Sequence, residues 1–225
     1  MERIERHFER EIERLGSELL RMGGLVERAI DRSVQALVDR DSTLARQVIA
    51  DDEAVDRLEN EIDLLCTDLL ALRQPIARDL RTITTALKIT PDLERAADHA
   101  VNIAERAVEL NAEPPLKPLI DIPRLAGLAR DMVHDALDAF VRRDAAAARA
   151  IIARDRAVDR LLEQIFRELL SYMLEDPHSI TRAMRLIFIA KYFERIGDQA
   201  TNVCEMVVYM VEGRVVKHGG LASAG

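Results

Sequence analysis

The sequence predicts an all-α protein of six long helices, arranged as two tandem three-helix bundles related by a pseudo-twofold. Aromatic residues make up only 4% of the 225 residues, while Ala, Leu, Arg and Glu dominate; this composition favours helix over strand. The chain also repeats itself. "DEAVDRLENEI" (52–62) matches "DRAVDRLLEQI" (155–165) at seven of eleven positions, and "ERAADHAVNIAE" (94–105) matches "ERIGDQATNVCE" (194–205) at six of twelve. A duplicated helical unit is the simplest explanation.

Apolar residues recur at helical spacing in six segments, and each segment is predicted to form one helix. The segments are 2–40, 42–73, 76–110, 121–142, 144–175 and 178–212. Ser42 is positioned to cap the second helix and Asp144 the fifth. Pro75 and Pro177 stand where the second helix of each half ends and the third begins.

Three residues conflict with this helical pattern. Gly23 and Gly24 lie inside the first helix, where each should cost about 1 kcal/mol relative to Ala. A close approach of a neighbouring helix or a hinge would explain them. Pro91 lies inside the third helix and should kink it or open a turn in it.

A proline-rich segment divides the chain. "NAEPPLKPLIDIP" (111–123) contains four prolines and has no helical periodicity, which is typical of a linker. We therefore predict a first bundle at 1–112, a second at 119–214 and a flexible C-terminal tail at 215–225.

Charge and cysteine content exclude several classes of function. A formal net charge of −8 argues against nucleic-acid binding, which needs clustered Lys and Arg, and favours cations or basic protein surfaces as partners. The N-terminus is too charged for a signal peptide, and no apolar run approaches the ~20 residues that cross a bilayer. Cys66 and Cys204 are isolated and are predicted to be small core residues. We expect a cytoplasmic protein without membrane insertion.

Each half carries two acidic pairs at i, i+4 spacing, which places both carboxylates of a pair on one helix face. The pairs are Asp52 with Asp56, Glu94 with Asp98, Asp155 with Asp159, and Glu194 with Asp198. Clustered carboxylates are costly to bury unless a cation neutralises them. If the second and third helices of each bundle face one another here, the repeated pairs predict a metal site in each half. The alternative is ordinary surface ion pairing with neighbouring Arg residues.

Carboxylate oxygens favour a hard cation such as Mg²⁺, Mn²⁺, Ca²⁺ or iron, and argue against structural zinc. Asn102, Asn202 and Asp79 are additional candidate ligands, whereas His99 is predicted to point away from Asp98. Asp131 and His134 have the spacing of a diiron ligand pair, but such a site needs Glu-x-x-His on two facing helices. The sequence shows no catalytic constellation or phosphate-binding loop. We therefore predict a protein that is not an enzyme, with a structural or regulatory ion.

Several segments match a known family pattern: "QPIARDLRTITTALKITPDLERAADHAVNIAE" (74–105), "KYFERIGDQATNVCE" (191–205), the twin "D-x-A-V-D-R-L" segments and the final "YMVEGRVVKH". In these segments the chain resembles the PhoU family of phosphate-signalling proteins. The resemblance implies a cytoplasmic, non-enzymatic regulator that modulates phosphate uptake and represses the phosphate-starvation response. Its partners would be the ATP-binding subunit of a phosphate ABC transporter and a sensor histidine kinase. The resemblance also implies frequent dimerisation and metal ions, mononuclear or multinuclear, at the eight paired acidic residues.

The first acidic motif departs from the family pattern. It has Ala96-Ala97 where the family usually has Ile-Gly, so the packing and the metal affinity of the two sites are expected to differ. Two other functions stay open from the residues alone. One is a carboxylate-bridged diiron oxidase or metal-storage bundle, which would need inward-facing His ligands. The other is a structural helical scaffold whose acidic pairs are solvated.

Overall fold

A computed structural model describes residues 2–73 and 75–214, and the predicted tail at 215–225 lies outside the described residues. The described chain forms seven α-helices and one 3₁₀ turn, at Pro177–Ser179. The α-helices are α1 (Glu2–Val38), α2 (Ser42–Asp51), α3 (Glu53–Arg73), α4 (Ala77–Asn111), α5 (Asp121–Arg142), α6 (Ala145–Glu175) and α7 (Ile180–Glu212). The predicted all-α class is confirmed. Within the described residues no helix is both long and apolar enough to cross a membrane.

The second predicted helix is divided into α2 and α3 at a single residue, Asp52. This residue keeps helical dihedral angles (φ −60°, ψ −36°). The N–H of Val55 donates to the Asp52 carbonyl at 2.7 Å, a bond spanning three residues that tightens the turn as in a 3₁₀ helix. The remaining helix bounds agree with the prediction to within a few residues.

The first helix of each half ends in the same way. Arg40 and Arg143 are the two non-glycine residues with positive φ in the described chain, at 57° and 54°. Each is followed by an aspartate, Asp41 or Asp144, that caps the next helix with its side chain. The two turns are separated by the same offset as the "D-x-A-V-D-R-L" segments, so the duplication extends to backbone conformation. The predicted cap at Asp144 is confirmed.

The predicted cap at Ser42 is wrong, because the capping residue is one position earlier. The carboxylate of Asp41 accepts hydrogen bonds from the N–H groups of Thr43 and Leu44. Ser42 is already the first helical residue. Its hydroxyl oxygen instead accepts from Nδ2 of Asn111 at 3.2 Å, which ties the start of α2 to the end of α4.

The helices pack as two bundles that share one extended core. α1, α2 and α3 pack around α4, while α5, α6 and α7 pack on one another. The bundles meet where α4 lies against α7 and α1 lies against α5. Buried side chains such as Ile89 and Ile103 on α4 and Phe193 and Val207 on α7 belong to a single hydrophobic cluster. α7 therefore contacts helices of both halves.

The contact between α4 and α7, called the seam below, follows the pseudo-twofold but has different chemistry on its two sides. On one side the rings of His99 and Tyr192 stack with centroids 5.8 Å apart. The equivalent positions in the other half are occupied by Gln199 and Asp92. There Nδ2 of Asn202 donates to Oδ1 of Asp92 at 3.3 Å and to Oε1 of Gln199 at 3.4 Å. The seam thus pairs polar groups on one side and rings on the other.

The proline-rich linker is held by arginines from both bundles. Nη2 of Arg40 donates to the carbonyls of Asn111, at 2.9 Å, and Glu113, which satisfies acceptors at the end of α4. Arg185 of α7 donates through Nε to Glu109 at 2.8 Å and through Nη1 to Glu113. The linker is therefore fixed to the first bundle and to the second.

Gly23 in α1 reflects a close helix approach, whereas a Cβ on Gly24 would meet only Arg28 of the same helix at an ordinary contact distance. α1 is continuous through both glycines. A Cβ atom on Gly23 would fall well inside van der Waals distance of Cδ1 of Leu137, on α5. α4 likewise continues through Pro91, so the turn expected to open there is wrong.

Replacing Gly23 with Ala should lower the free energy of unfolding by about 1–3 kcal/mol, because the buried Leu137 must move out of a packed rotamer. Gly16→Ala is the matched control on the same helix, since its Cβ would meet no atom within 4 Å. That control should raise stability by up to about 1 kcal/mol through helix propensity. Urea denaturation measures both, and equal effects of the two substitutions would contradict the close approach.

Candidate functional site

The four acidic residues predicted in the first half lie where the α2–α3 break meets α4. Asp52 occupies the break, Asp56 the first turn of α3, and Glu94 and Asp98 successive turns of α4. Burial first, and then the charges of Asp98, Glu59, Asp56 and Asp52, raise the pKa of Glu94 to about 7. Burial, followed by the charges of Asp56 and Asp98, raises the pKa of Asp52 to about 6. The structure therefore brings these carboxylates into one cluster, called the first acidic cluster below.

Glu59 is a fifth member of the first acidic cluster that sequence reasoning missed. Its pKa is raised by burial and by the charges of Asp56, Asp63 and Asp98, although Arg95 opposes the shift. The signal was available, because Glu59 follows Asp56 by three residues and so shares its helix face. The second half has Leu162 at the equivalent position, and the two clusters differ in charge for that reason.

The second acidic cluster lies between α6 and α7. Burial, then the charges of Glu194 and Asp155, raise the pKa of Asp198 to about 6, while Lys191 and Arg195 lower it. Glu194 is only 8% exposed. Its Oε1 accepts a hydrogen bond from Lys191, and its Oε2 is buried without a hydrogen-bond partner among the described residues. A buried carboxylate oxygen without a partner is a costly arrangement unless a ligand completes it.

The remaining predicted ligands occupy different surroundings. Asp159 lies one turn beyond Asp155 and is exposed. Asn102 donates to the backbone carbonyl of Asp98 at 2.8 Å. Asn202 points across the seam to Asp92. Asp79 lies in the first turn of α4, near Arg143. Burial lowers the pKa of Arg143, and the charge of Asp79 only partly opposes that shift.

Gly197 of the second motif lies beside its cluster. A Cβ there would meet Cγ1 of Val158 at 3.6 Å and Oδ1 of Asp155 at 3.7 Å, which are ordinary contact distances. The alanine that stands at the equivalent position 97 is therefore compatible with the same packing. The change from Gly in "ERIGD" to Ala in "ERAAD" therefore creates no steric conflict at this position.

His99 and His134 make contacts of other kinds, and Cys66 and Cys204 lie in the core. Burial lowers the pKa of His99, whose ring is stacked on Tyr192. Nδ1 of His134 lies 3.1 Å from Oε1 of Glu27, in a surface contact between α5 and α1. Cys66 and Cys204 are buried and free, and burial raises the pKa of each thiol to about 12. They are core residues, as predicted.

The donor atoms of both clusters are of the kind that binds a cation, but the side chains are not arranged in a coordination geometry. In the described part of the chain, no three His, Cys, Asp or Glu side chains are arranged to hold a metal ion. The donors are nevertheless carboxylates, the pKa values of Asp52, Glu94 and Asp198 are raised, and Oε2 of Glu194 is buried with no hydrogen-bond partner among the described residues. Hard cations prefer such oxygen donors. Metal binding would require the side chains to rotate toward one another, and it stays a prediction.

The metal-free protein should lose stability as pH rises through the pKa values of the first acidic cluster. The pKa of Asp52 moves from 3.8 to about 6 and that of Glu94 from 4.5 to about 7 on folding. The folded state therefore binds more protons than the unfolded state above the ordinary pKa values, so ionisation between about pH 5 and 7 favours unfolding. Tm measured in chelator from about pH 5 to 8 should fall less steeply for Glu94→Gln than for the unmodified chain. Identical slopes would contradict the repulsion described here.

Two repeated three-helix units, each with a carboxylate cluster between its second and third helices, define a tandem helical-bundle protein with two related acidic sites. A sequence model of the PhoU domain matches residues 19–107 and again residues 122–207. The chain belongs to the PhoU family, as the resemblance predicted.

Relatives and solved structures agree with this assignment. The "Phosphate-specific transport system accessory protein PhoU homolog" of Pseudomonas putida is 44% identical over 97% of this chain and 86% of that protein. The homolog of Aquifex aeolicus is 43% identical over 96% of this chain and 98% of that protein. The crystal structure of PhoU from Pseudomonas aeruginosa superposes with a TM-score of 0.88 at 42% identity, covering 92% of this chain and all of that one. PhoU from Streptococcus pneumoniae gives 0.86 at 28% identity, covering 93% and 99%.

Proposed function

We propose that this chain is an accessory regulator of phosphate transport, which modulates phosphate uptake and represses the phosphate-starvation response while phosphate is abundant. The observation that carries the proposal is the match of both halves to the PhoU domain, over ranges that contain both acidic clusters. Full-length relatives named as accessory proteins of the phosphate-specific transport system support it.

We infer that the chain acts in the cytoplasm by binding rather than by catalysis. It couples the ATP-binding subunit of a phosphate ABC transporter to a sensor histidine kinase. Its formal net charge of −8 favours partners with basic patches, because long-range attraction speeds their encounter. Arg40 and Arg185 connect the two bundles through the linker, so a partner can contact the surfaces of both bundles at once.

We also propose that each acidic cluster binds one or more hard cations with a structural or regulatory role. In the first half Asp52, Asp56, Glu94 and Asp98 would supply the ligands. Glu59 lies close enough for its charge to act on Glu94. In the second half Asp155, Asp159, Glu194 and Asp198 would do so. A cation there would neutralise carboxylates whose ionisation is opposed by burial and by one another, and would tie the α2–α3 break to α4. His99, which follows Asp98 directly in the chain, is stacked on Tyr192, so no observation on the described residues favours the diiron oxidase alternative.

Direct binding tests the proposed partners. The purified ATP-binding subunit and the cytoplasmic part of the kinase should each bind the full chain in surface plasmon resonance. Binding should weaken as salt rises, because ions screen the attraction between exposed charges. The ATP-binding subunit of an unrelated ABC transporter serves as the control. Absence of binding to both partners at low salt would refute the coupling role.

A further inference from the structure

A cavity with a charged lining lies where α1 passes the break between α2 and α3. Its volume is about 320 Å³. Five charged residues line it: Arg28 and Arg32 on α1, Asp51 and Asp52 at the break, and Arg57 on α3. Three arginines against two aspartates give this lining a positive charge, although the formal net charge of the chain is −8. We call this cavity the arginine pocket.

One of the three arginines has a structural role that both halves share. Nη1 of Arg32 lies 2.5 Å from Oδ2 of Asp51, and this ion pair ties the first helix to the second. The equivalent positions in the second half are Asp135 and Arg154, which form an ion pair with the charges exchanged. The fold therefore requires a pair at these positions, and Arg32 is explained by it.

Arg28 has no such explanation. It lies one turn before Arg32 on the same helix face, where two positive charges repel each other. Among the described residues its side chain has no hydrogen-bond or ion-pair partner. The second half has Asp131 at the equivalent position, ion-paired with Arg130. An arginine at position 28 is therefore not a requirement of the duplicated fold.

The sign of the lining is reversed between the two halves. At the positions equivalent to the charged lining of the arginine pocket, the second half has two arginines against three aspartates: Asp131, Asp135, Arg154, Asp155 and Arg160. The positive charge of the arginine pocket thus arose in one copy of the repeat, on a backbone that both copies share. A positive lining repels cations and attracts anions.

Arg57 is available to an anion as well as Arg28. Its Nη1 donates to Oε1 of Glu53 at 2.8 Å, but the two side chains are 62% and 76% exposed. Such exposed pairs contribute little free energy, so a ligand can replace the partner. Guanidinium groups donate in a planar fork that matches carboxylate and phosphoryl oxygens. Three guanidinium groups can share the three outer oxygens of a phosphoryl group, whereas a carboxylate offers two.

Size and the rest of the lining favour an organic phosphate over inorganic phosphate. The volume is about ten times the ~30 Å³ that one water molecule occupies in the liquid, which is more than a group of five non-hydrogen atoms fills. Leu25, Val48 and Val55 add an apolar wall, against which the uncharged part of a ligand can pack. The carboxylate of Asp52 can accept hydrogen bonds from hydroxyl groups of that ligand.

We propose that the arginine pocket binds a small organic phosphate that carries hydroxyl groups, either a sugar phosphate or a mononucleotide. The phosphoryl group is held by Arg28 and Arg57, beside the fixed guanidinium of Arg32. The bound ligand connects α1 to both sides of the α2–α3 break and so stabilises the break. This binding site goes beyond the proposed role in phosphate transport and does not depend on it.

Isothermal titration calorimetry of the full chain tests this site with four probes: AMP, glucose 6-phosphate, inorganic phosphate and adenosine. Chelator is present throughout, so that no metal ion in an acidic cluster can bridge to a phosphate. At least one of the two organic phosphates should bind at one site per chain. Its affinity should exceed that of inorganic phosphate and of adenosine at least about tenfold. The comparison of AMP with glucose 6-phosphate identifies the class of ligand.

Substitutions locate the site. Arg28→Gln and Arg57→Gln should each weaken binding at least about tenfold, because each removes a charge-assisted hydrogen bond to the phosphoryl group. Arg28→Asp, which introduces the residue type of the second half, should weaken it further. The matched control is Arg160→Gln, at the position equivalent to Arg57, and it should leave the affinity unchanged. All three arginines are exposed, so helicity measured by circular dichroism should be the same in every variant.

Four results would overturn the proposal. Neither organic phosphate might bind the unmodified chain at millimolar concentration. Inorganic phosphate or adenosine could bind as tightly as the organic phosphates, which would remove the need for the whole ligand. Binding could survive Arg28→Gln together with Arg57→Gln, which would place the ligand elsewhere. An equal loss in Arg160→Gln would show general attraction of anions to the surface.

Discussion

A strain that lacks the gene for this chain should express its phosphate-starvation genes in abundant phosphate at close to the starved level. In the proposed function, repression depends on a signal from transporter to kinase, and this chain carries that signal. A reporter fused to a starvation promoter measures the effect in phosphate-replete medium. Normal repression in the deletion strain would overturn the phosphate role.

Complementation then asks whether the acidic clusters matter. A chain with Glu94→Gln, Asp98→Asn, Glu194→Gln and Asp198→Asn should fail to restore repression. A control chain neutralised at four exposed acidic residues outside the clusters should restore it: Glu61→Gln, Asp68→Asn, Asp131→Asn and Glu175→Gln. Both chains lose four negative charges. The comparison therefore separates the effect of the acidic clusters from the effect of net charge. Full repression by the cluster variant at normal protein level would show that the motifs serve another purpose.

Substitution of two carboxylates in the first acidic cluster should remove its metal without emptying the second. In Asp56→Asn with Glu94→Gln, two of the proposed ligands become neutral amides, and we expect the affinity of that cluster for metal to fall at least about 100-fold. Metal content per chain, measured by mass spectrometry after purification without chelator, should fall to about half if the clusters hold equal amounts. The two clusters belong to separate bundles, which is why the loss should be local.

Two further variants control the metal measurement. Glu194→Gln with Asp198→Asn should empty the second cluster and spare the first. Glu61→Gln with Asp68→Asn, which lie on exposed positions of α3, should leave metal content unchanged. If the first pair of substitutions also left the content unchanged, Asp56 and Glu94 would not be ligands.

Much of the fold could be predicted because helical periodicity and internal repetition can both be recognised directly in the sequence. The break at Asp52 could not, since a single tightened turn leaves the spacing of apolar residues almost intact. The capping error at Ser42 has a similar origin. Aspartate and serine are both good N-caps, and a helix boundary is uncertain by one residue when two such residues are adjacent.

Within the acidic clusters, only the pairs that share one helix face could be predicted from the sequence. Four residues advance by about 400°, so each step of four rotates the side chain by about 40°. Asp198 therefore remains near Glu194, but Asn202 has turned far enough to meet Asp92 on α4. The stacking of His99 on Tyr192 depends on how the two bundles dock, and local sequence carries little information about docking.

The position of α7 in the chain has a consequence for biosynthesis. These 33 residues are the last of the seven helices to leave the ribosome, yet they complete the second bundle and also cover α4 of the first. The apolar side of α4 in the first bundle therefore stays open to solvent until α7 has been synthesised. A chain released before residue 180 would keep that surface exposed and would be a substrate for chaperones and proteases.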